Sequence, residues 1–89
     1  MSQKTELEIK FLKAAEDIKK IDKQLDNDEL LTLYSYYKQS IEGDCNIAEP
    51  GMFDLRGKAK YSAWKELTGI SKEKAMKYYI KKVNNLLKK

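Results

Sequence analysis

Apolar residues recur at helical spacing in four separate stretches of this chain, and no stretch alternates apolar and polar residues as a half-buried strand would. That pattern predicts an all-α fold, with short turns between some helices and one long loop. At 89 residues the chain suffices for one modest core, so residues 1–89 read as a single domain, with residues 1–5 expected to be loose.

The first helix is predicted from Glu6 to about Ile21, with Leu7, Phe11, Ala14, Ala15, Ile18 and Ile21 on one face. The polar run Asp22 to Asp28 ends it, and Asn27 or Asp28 is the expected N-cap of the second helix. That helix runs from Glu29 to Ile41 or Glu42, carries Leu30, Leu33, Tyr34, Tyr37 and Ile41 in one arc, and stops at Gly43. Turn formers crowd the segment from Gly43 to Asp54, which is read as a long loop pinned to the core by Ile47, Met52 and Phe53. A third helix, from Asp54 or Arg56 to Leu67, is expected to bury Ala59, Ala63, Trp64 and Leu67. Gly69 closes it and Ser71 caps the fourth helix, Lys72 to about Leu87, whose apolar face is Ala75, Met76, Tyr79, Ile80, Val83, Leu86 and Leu87. Tyr78 points away from that face.

Three lysines break the apolar arcs. At about 100° per residue, Lys38 falls between Tyr34 and Leu31, Lys60 between Leu67 and Trp64, and Lys19 at the arc edge between Ala15 and Leu12. An unpaired buried ammonium costs several kcal/mol, roughly as other buried charges do, so each needs an anion or must reach water. Two arrangements satisfy them. Their stems can lie on the core with the heads in solvent, beside tyrosines that are ordinary core residues. Alternatively Lys19, Lys38 and Lys60 converge with Tyr34, Tyr37 and Tyr79 on a groove, where ammonium groups meet phosphates and aromatic faces meet a base.

The charges, 18 Lys and Arg against 14 Asp and Glu, leave a net +4 that favours an anionic partner. The absence of histidine removes the usual general base and the commonest metal ligand, and the single Cys45 supplies neither an internal disulfide nor a thiolate cluster. No nucleophile elbow is present, and Ser35 and Ser71 read as helix-surface and cap residues, so hydrolysis of a thioester is not expected. No leader-like apolar core or membrane-length apolar run occurs, so a soluble, cytoplasmic protein is expected. The rival class is a basic helical module for nucleic acid or a partner helix; against it, the lysines are dispersed and no nucleic-acid-binding signature is present.

The chain resembles the acyl-CoA-binding protein family in Tyr34-Ser-Tyr-Tyr-Lys-Gln39, Gly43-Asp44, Pro50-Gly51-Met52, Gly57-Lys-Ala-Lys60, Ala63-Trp64, Ser71-Lys-Glu-Lys-Ala-Met76 and Tyr79-Ile80. The blocks keep family-like order and spacing, from Phe11-Leu-Lys-Ala-Ala15 to Val83. The resemblance implies a four-helix bundle of up-down-down-up topology, with the long loop between helices two and three. It also implies a groove that holds the coenzyme A head and shields a long acyl chain. Matched by motif, Tyr34, Lys38 and Lys60 take positions that hold the ribose 3'-phosphate region, Tyr37 an adenine-contacting position, Lys19 a head-group contact and Tyr79 a position lining the ligand. Ala14, Leu30 and Leu31 match positions flanking the groove or acyl chain, and Ser35 is counted with the Tyr34–Lys38 block. Tyr36 and Tyr61 depart from residues common in the family, histidine and tryptophan, and both lie off the expected arcs. The implied protein is a non-catalytic carrier of medium- to long-chain fatty acyl-CoA, with no cofactor, no catalytic residue and no metal. It would be monomeric, would bind no nucleic acid, and would touch membrane surfaces and acyl-CoA-using enzymes only transiently.

Overall fold

The computed structural model describes residues 4–88, among which four α-helices and no strands occur: α1 Glu6–Lys19, α2 Asn27–Glu42, α3 Leu55–Lys65 and α4 Lys72–Lys88. Local chemistry fixes their starts. Thr5 and Glu8 form a reciprocal capping box at α1, so residue 5 is a helix cap and not part of a loose end; Met1 to Gln3 lie outside the described residues. At α2 the cap is Asp26, boxed with Glu29, one or two residues earlier than expected. Asp26 meets the amide of Glu29 at 2.8 Å, and Asn27 and Asp28 fall within the first turn of the helix. Asp54 and Ser71 accept from the backbone of Gly57 and Lys74 at the starts of α3 and α4.

Two helices end short of their apolar stripes. Helix α1 stops at Lys19, and Ile21 packs on the core from the chain beyond it. Helix α3 stops at Lys65 and tightens through Leu67 N–H to Trp64 O and Thr68 N–H to Lys65 O, so Leu67 lies in a turn. Gly43, with φ +80° and ψ −146°, ends α2 in a conformation open essentially to glycine alone.

Side-chain contacts give the direction of each helix. Phe11 meets Tyr79 at 5.0 Å between ring centroids, and Leu7, further back on α1, shares a cavity with Met76, so α1 and α4 run parallel. Tyr36 meets Tyr78 at 5.5 Å, while Gln39 donates to the Ile70 carbonyl just ahead of α4, so α2 opposes α4. Lys60 lies over Tyr34, and Trp64 Nε1 donates to Gly43 O at 2.9 Å, so α3 follows α2. The topology is up-down-down-up. Helix packs on helix in the order α1, α4, α2, α3, which makes an open, flattened bundle of 39 × 35 × 20 Å.

The core is Phe11, Ala14, Leu33, Tyr79, Val83 and Leu86, with Trp64 and Ala75 buried beside it. Ala59 and Ala63 are only partly buried, and Leu87 is exposed while its chain neighbour Leu86 is buried in the core. Tyr36 lies closer to the core than its position off the expected arc implied, half-buried against α4.

The long loop, residues 43–54, departs most from expectation. Ile47 is exposed, as are Met52 and Phe53 at 72% and 91%, so none of them pins the loop. Polar bonds hold it at its start instead: Asp44 Oδ1 accepts from Gln39 Nε2 and from Gly69 N–H, each at 2.9 Å, and Glu49 pairs with Lys58 at 3.7 Å. The two donors hold the Asp44 carboxyl below the usual carboxylate range. Trp64 and Gln39, both fully buried and hydrogen-bonded, close that side of α2 without the loop's apolar residues.

Candidate ligand-binding groove

Helix α2 is covered on two sides, by α4 and α3, and open on the third. Its buried residues are Leu33 and three polar ones, Ser35, Gln39 and Ser40. Each polar side chain is hydrogen-bonded, the serines locally: Ser35 Oγ to Thr32 O at 2.9 Å, Ser40 Oγ to Tyr36 O at 2.6 Å, and Gln39 Nε2 to Asp44 and to the distant Ile70 O. Polar groups thus line the helix contacts, with Gln39 Oε1 the one buried side-chain oxygen left without a partner among the described residues, while the apolar stripe Leu30, Tyr34, Tyr37, Ile41 faces outward. Leu30 is 51% exposed and Tyr37 37%, although both stand in the arc that periodicity marks as core.

Helices α1 and α3 wall this stripe and do not pack on each other. On the α1 side, Tyr37 stacks on Phe11 at 5.6 Å and leans on Tyr79 at 6.0 Å. Burial of the Tyr79 phenol pushes its pKa up to about 12, so it remains neutral and a hydrogen-bond donor throughout the physiological range. On the α3 side, two cations and two aromatic rings face each other across the seam. Lys60 Nζ lies 5.3 Å from the Tyr34 ring centroid, and Lys38 Nζ lies 5.1 Å from that of Trp64. Lys38 also pairs with Glu42, one turn along α2, and that hydrogen bond raises the lysine's pKa above its ordinary value. At the far end of the stripe, Ile41, Phe11, Leu7 and Met76 line a cavity of about 420 Å³.

The structure therefore gathers Tyr34, Tyr37, Lys38 and Lys60 on one open face, with Leu30 at its edge and the buried Tyr79 and Ala14 behind it. It does not gather the others. Lys19 extends into solvent at the end of α1 and pairs with Glu16 at 3.5 Å. Leu31 and Ser35 line a separate cavity of about 340 Å³ with Ala63 and Leu67, and Ser35 is buried rather than on the helix surface. Three residues of the groove escaped the sequence reading: Phe11 and Trp64, assigned only to the core, and Glu42. Their spacing carried a signal, since Trp64 is four residues after Lys60 and Glu42 four after Lys38, both helical-neighbour distances.

The face can bind an anion at the α2–α3 seam and stack or cover an apolar body along the stripe. Residues 8–83 match the sequence model of the family described as Acyl CoA binding protein. Among solved structures, Oryza sativa Acyl-CoA-Binding Protein 2 is similar at 40% identity, covering 92% of this chain and 91% of that one, with a TM-score of 0.88. The acyl-CoA-binding protein of Moniliophthora perniciosa shares 41% identity over 98% of this chain and 84% of its own, with a TM-score of 0.85. The solution structure of the acyl CoA binding protein from Babesia bovis shares 36% identity over 92% and 93%, with a TM-score of 0.77. Having both the family's sequence pattern along most of its length and the bundle of these three proteins, the chain belongs to the acyl-CoA-binding protein family.

Proposed function

We propose that the protein is a non-catalytic, reversible carrier of medium- to long-chain fatty acyl-CoA esters, buffering them and moving them within the cell. The observation that carries this reading is the open face of α2, where Lys38 and Lys60 flank Tyr34 and an uncovered apolar stripe runs alongside. The ester has the same two parts, a polyanionic head with an aromatic base and a long apolar tail. In this reading Tyr34, Lys38 and Lys60 take the phosphates, Tyr37 takes the adenine, and Leu30, Ile41 and the adjoining cavity shield the chain. The carrier acts as a cytoplasmic monomer that meets membrane surfaces and acyl-CoA-using enzymes transiently.

Magnitudes divide the labour. A hydrogen bond to a charged group contributes about 1.5–3 kcal/mol, and each methylene taken out of water contributes about 0.8 kcal/mol. A dozen buried methylenes thus give on the order of 10 kcal/mol before ordering costs. The tail dominates affinity, and the head dominates selectivity.

Isothermal titration with palmitoyl-CoA, beside free CoA and palmitate, tests the reading. One-to-one binding of the ester, far tighter than that of either fragment, is the expected result. A folded sample that ignores the ester, or binds palmitate as tightly, would sink it.

A further inference from the structure

The two lysines of the seam are not equivalent. Lys60 faces the Tyr34 ring and has no carboxylate partner among the described residues, whereas Lys38 is neutralised by Glu42 while lying against Trp64. Glu42 is itself out of place by local rules. It ends α2, where the helix dipole disfavours a negative charge, and the last turn of that helix holds no basic residue. Lys38, one turn back, is the cation that compensates it.

We propose that Glu42 is a built-in competitor for Lys38, its carboxylate holding the ammonium in the free protein and yielding it to an anionic group of the ligand. The inference rests on the acyl-CoA reading, because it needs a ligand that brings phosphate charge to the seam. The exchange is nearly symmetric: one charge-assisted contact replaces another on the same ammonium. A monoanionic carboxylate offers Lys38 nothing that Glu42 does not already supply, whereas a dianionic phosphate does. Re-formation of the Lys38–Glu42 pair offsets part of the loss when the ligand leaves, which favours release, as a carrier requires. Lys60 has no such internal anion, so it holds its phosphate contact without competition. Glu42 acts through Lys38 and is a positioning residue.

The test is a double-mutant cycle by calorimetry with palmitoyl-CoA on the wild type, Glu42→Gln, Lys38→Met and the double variant, each checked for helical circular dichroism. Both side chains are partly exposed, so solvent screens the competition, and Glu42→Gln should tighten binding about two- to fivefold. The gain should vanish when residue 38 is methionine. Unchanged or weaker binding by Glu42→Gln overturns the proposal, as does an equal gain in the Lys38→Met background, which would mark a general charge effect. A second arm titrates inorganic pyrophosphate and follows the indole N–H of the single tryptophan, Trp64, by NMR. Half-saturation should occur at lower pyrophosphate in Glu42→Gln, and an unshifted midpoint overturns the proposal. If the wild type ignored palmitoyl-CoA, the carrier reading would fall, and the pyrophosphate arm would still decide the role of Glu42.

Discussion

At the scale of single residues, Lys60 and Lys38 carry the same charge in different settings, and their deletions should differ. Lys60→Ala removes an unopposed cation over Tyr34. A lost charge-assisted contact of about 1.5–3 kcal/mol raises Kd roughly ten- to hundredfold. Lys38→Ala should cost less, because Glu42 already engages that ammonium in the free protein. Calorimetry at two salt concentrations, on variants with intact helical circular dichroism, checks the order; equal affinity of both variants and the wild type would remove the lysines from the site. Tyr79 gives a prediction in pH. Its folded pKa is raised from 10.0 to about 12, so below pH 10 it is protonated in both states and the stability associated with it is fully present. Between pH 10 and 12 the unfolded chain ionises first, and stability falls by at most about 1.4 kcal/mol per pH unit. Tyr79→Phe should flatten the urea-midpoint profile over that window; a profile parallel to the wild type's would show that the phenol is not held in its neutral form.

At the scale of elements, the four helices and most of their ends were legible, because 3.6-residue periodicity and cap residues are local properties. What covers each stripe is not local. The arc Leu30, Tyr34, Tyr37, Ile41 looked like core, yet it faces outward, and the polar Gln39 and Ser40 are buried instead, since α3 and α4 cover the polar flank. The convergence of Lys38 and Lys60 was suggested by their odd positions, but their pairing with Trp64 and Tyr34 depends on the register of α3 against α2. That register is fixed by the bond from Trp64 Nε1 to Gly43 O, which joins residues far apart in sequence. Gly43 is therefore a joint as well as a helix end. Gly43→Ala forces a side chain into φ +80°, ψ −146°, at a cost of about 1–3 kcal/mol. Urea denaturation should show a lower midpoint with unchanged slope, and an unshifted midpoint would refute the role given to the joint. The loop it opens behaves oppositely. Phe53 is exposed, so Phe53→Ser should change stability by no more than about 0.5 kcal/mol; a larger loss would restore the loop's aromatic residue to the core.

At the scale of the molecule, the packing order α1, α4, α2, α3 leaves the α3 wall of the groove less supported than the middle of the bundle. Helix α4 is held between α1 and α2, whereas α3 packs on α2 alone and is the shortest of the four. Local opening free energies follow buried contact, so the amides of α3 should exchange with solvent faster than those of α4 in the free protein. A ligand lying on α2 and touching Lys60 ties α3 to the rest of the bundle through its own body. Binding to the folded state alone stabilises by RT ln(1 + [L]/Kd), about 2.7 kcal/mol at a hundredfold excess over Kd. Openings that release the ligand then become up to about a hundredfold rarer. Exchange measured with and without palmitoyl-CoA should accordingly show its largest gain in protection along α3, around Lys60 and Trp64, and a smaller one in α4. If α3 were as protected as α4 before ligand, the open wall would be rigid and the groove preformed. If protection rose equally in every helix, the ligand would act on global unfolding alone, and the coupling of α3 to the bundle through the bound ester would be lost.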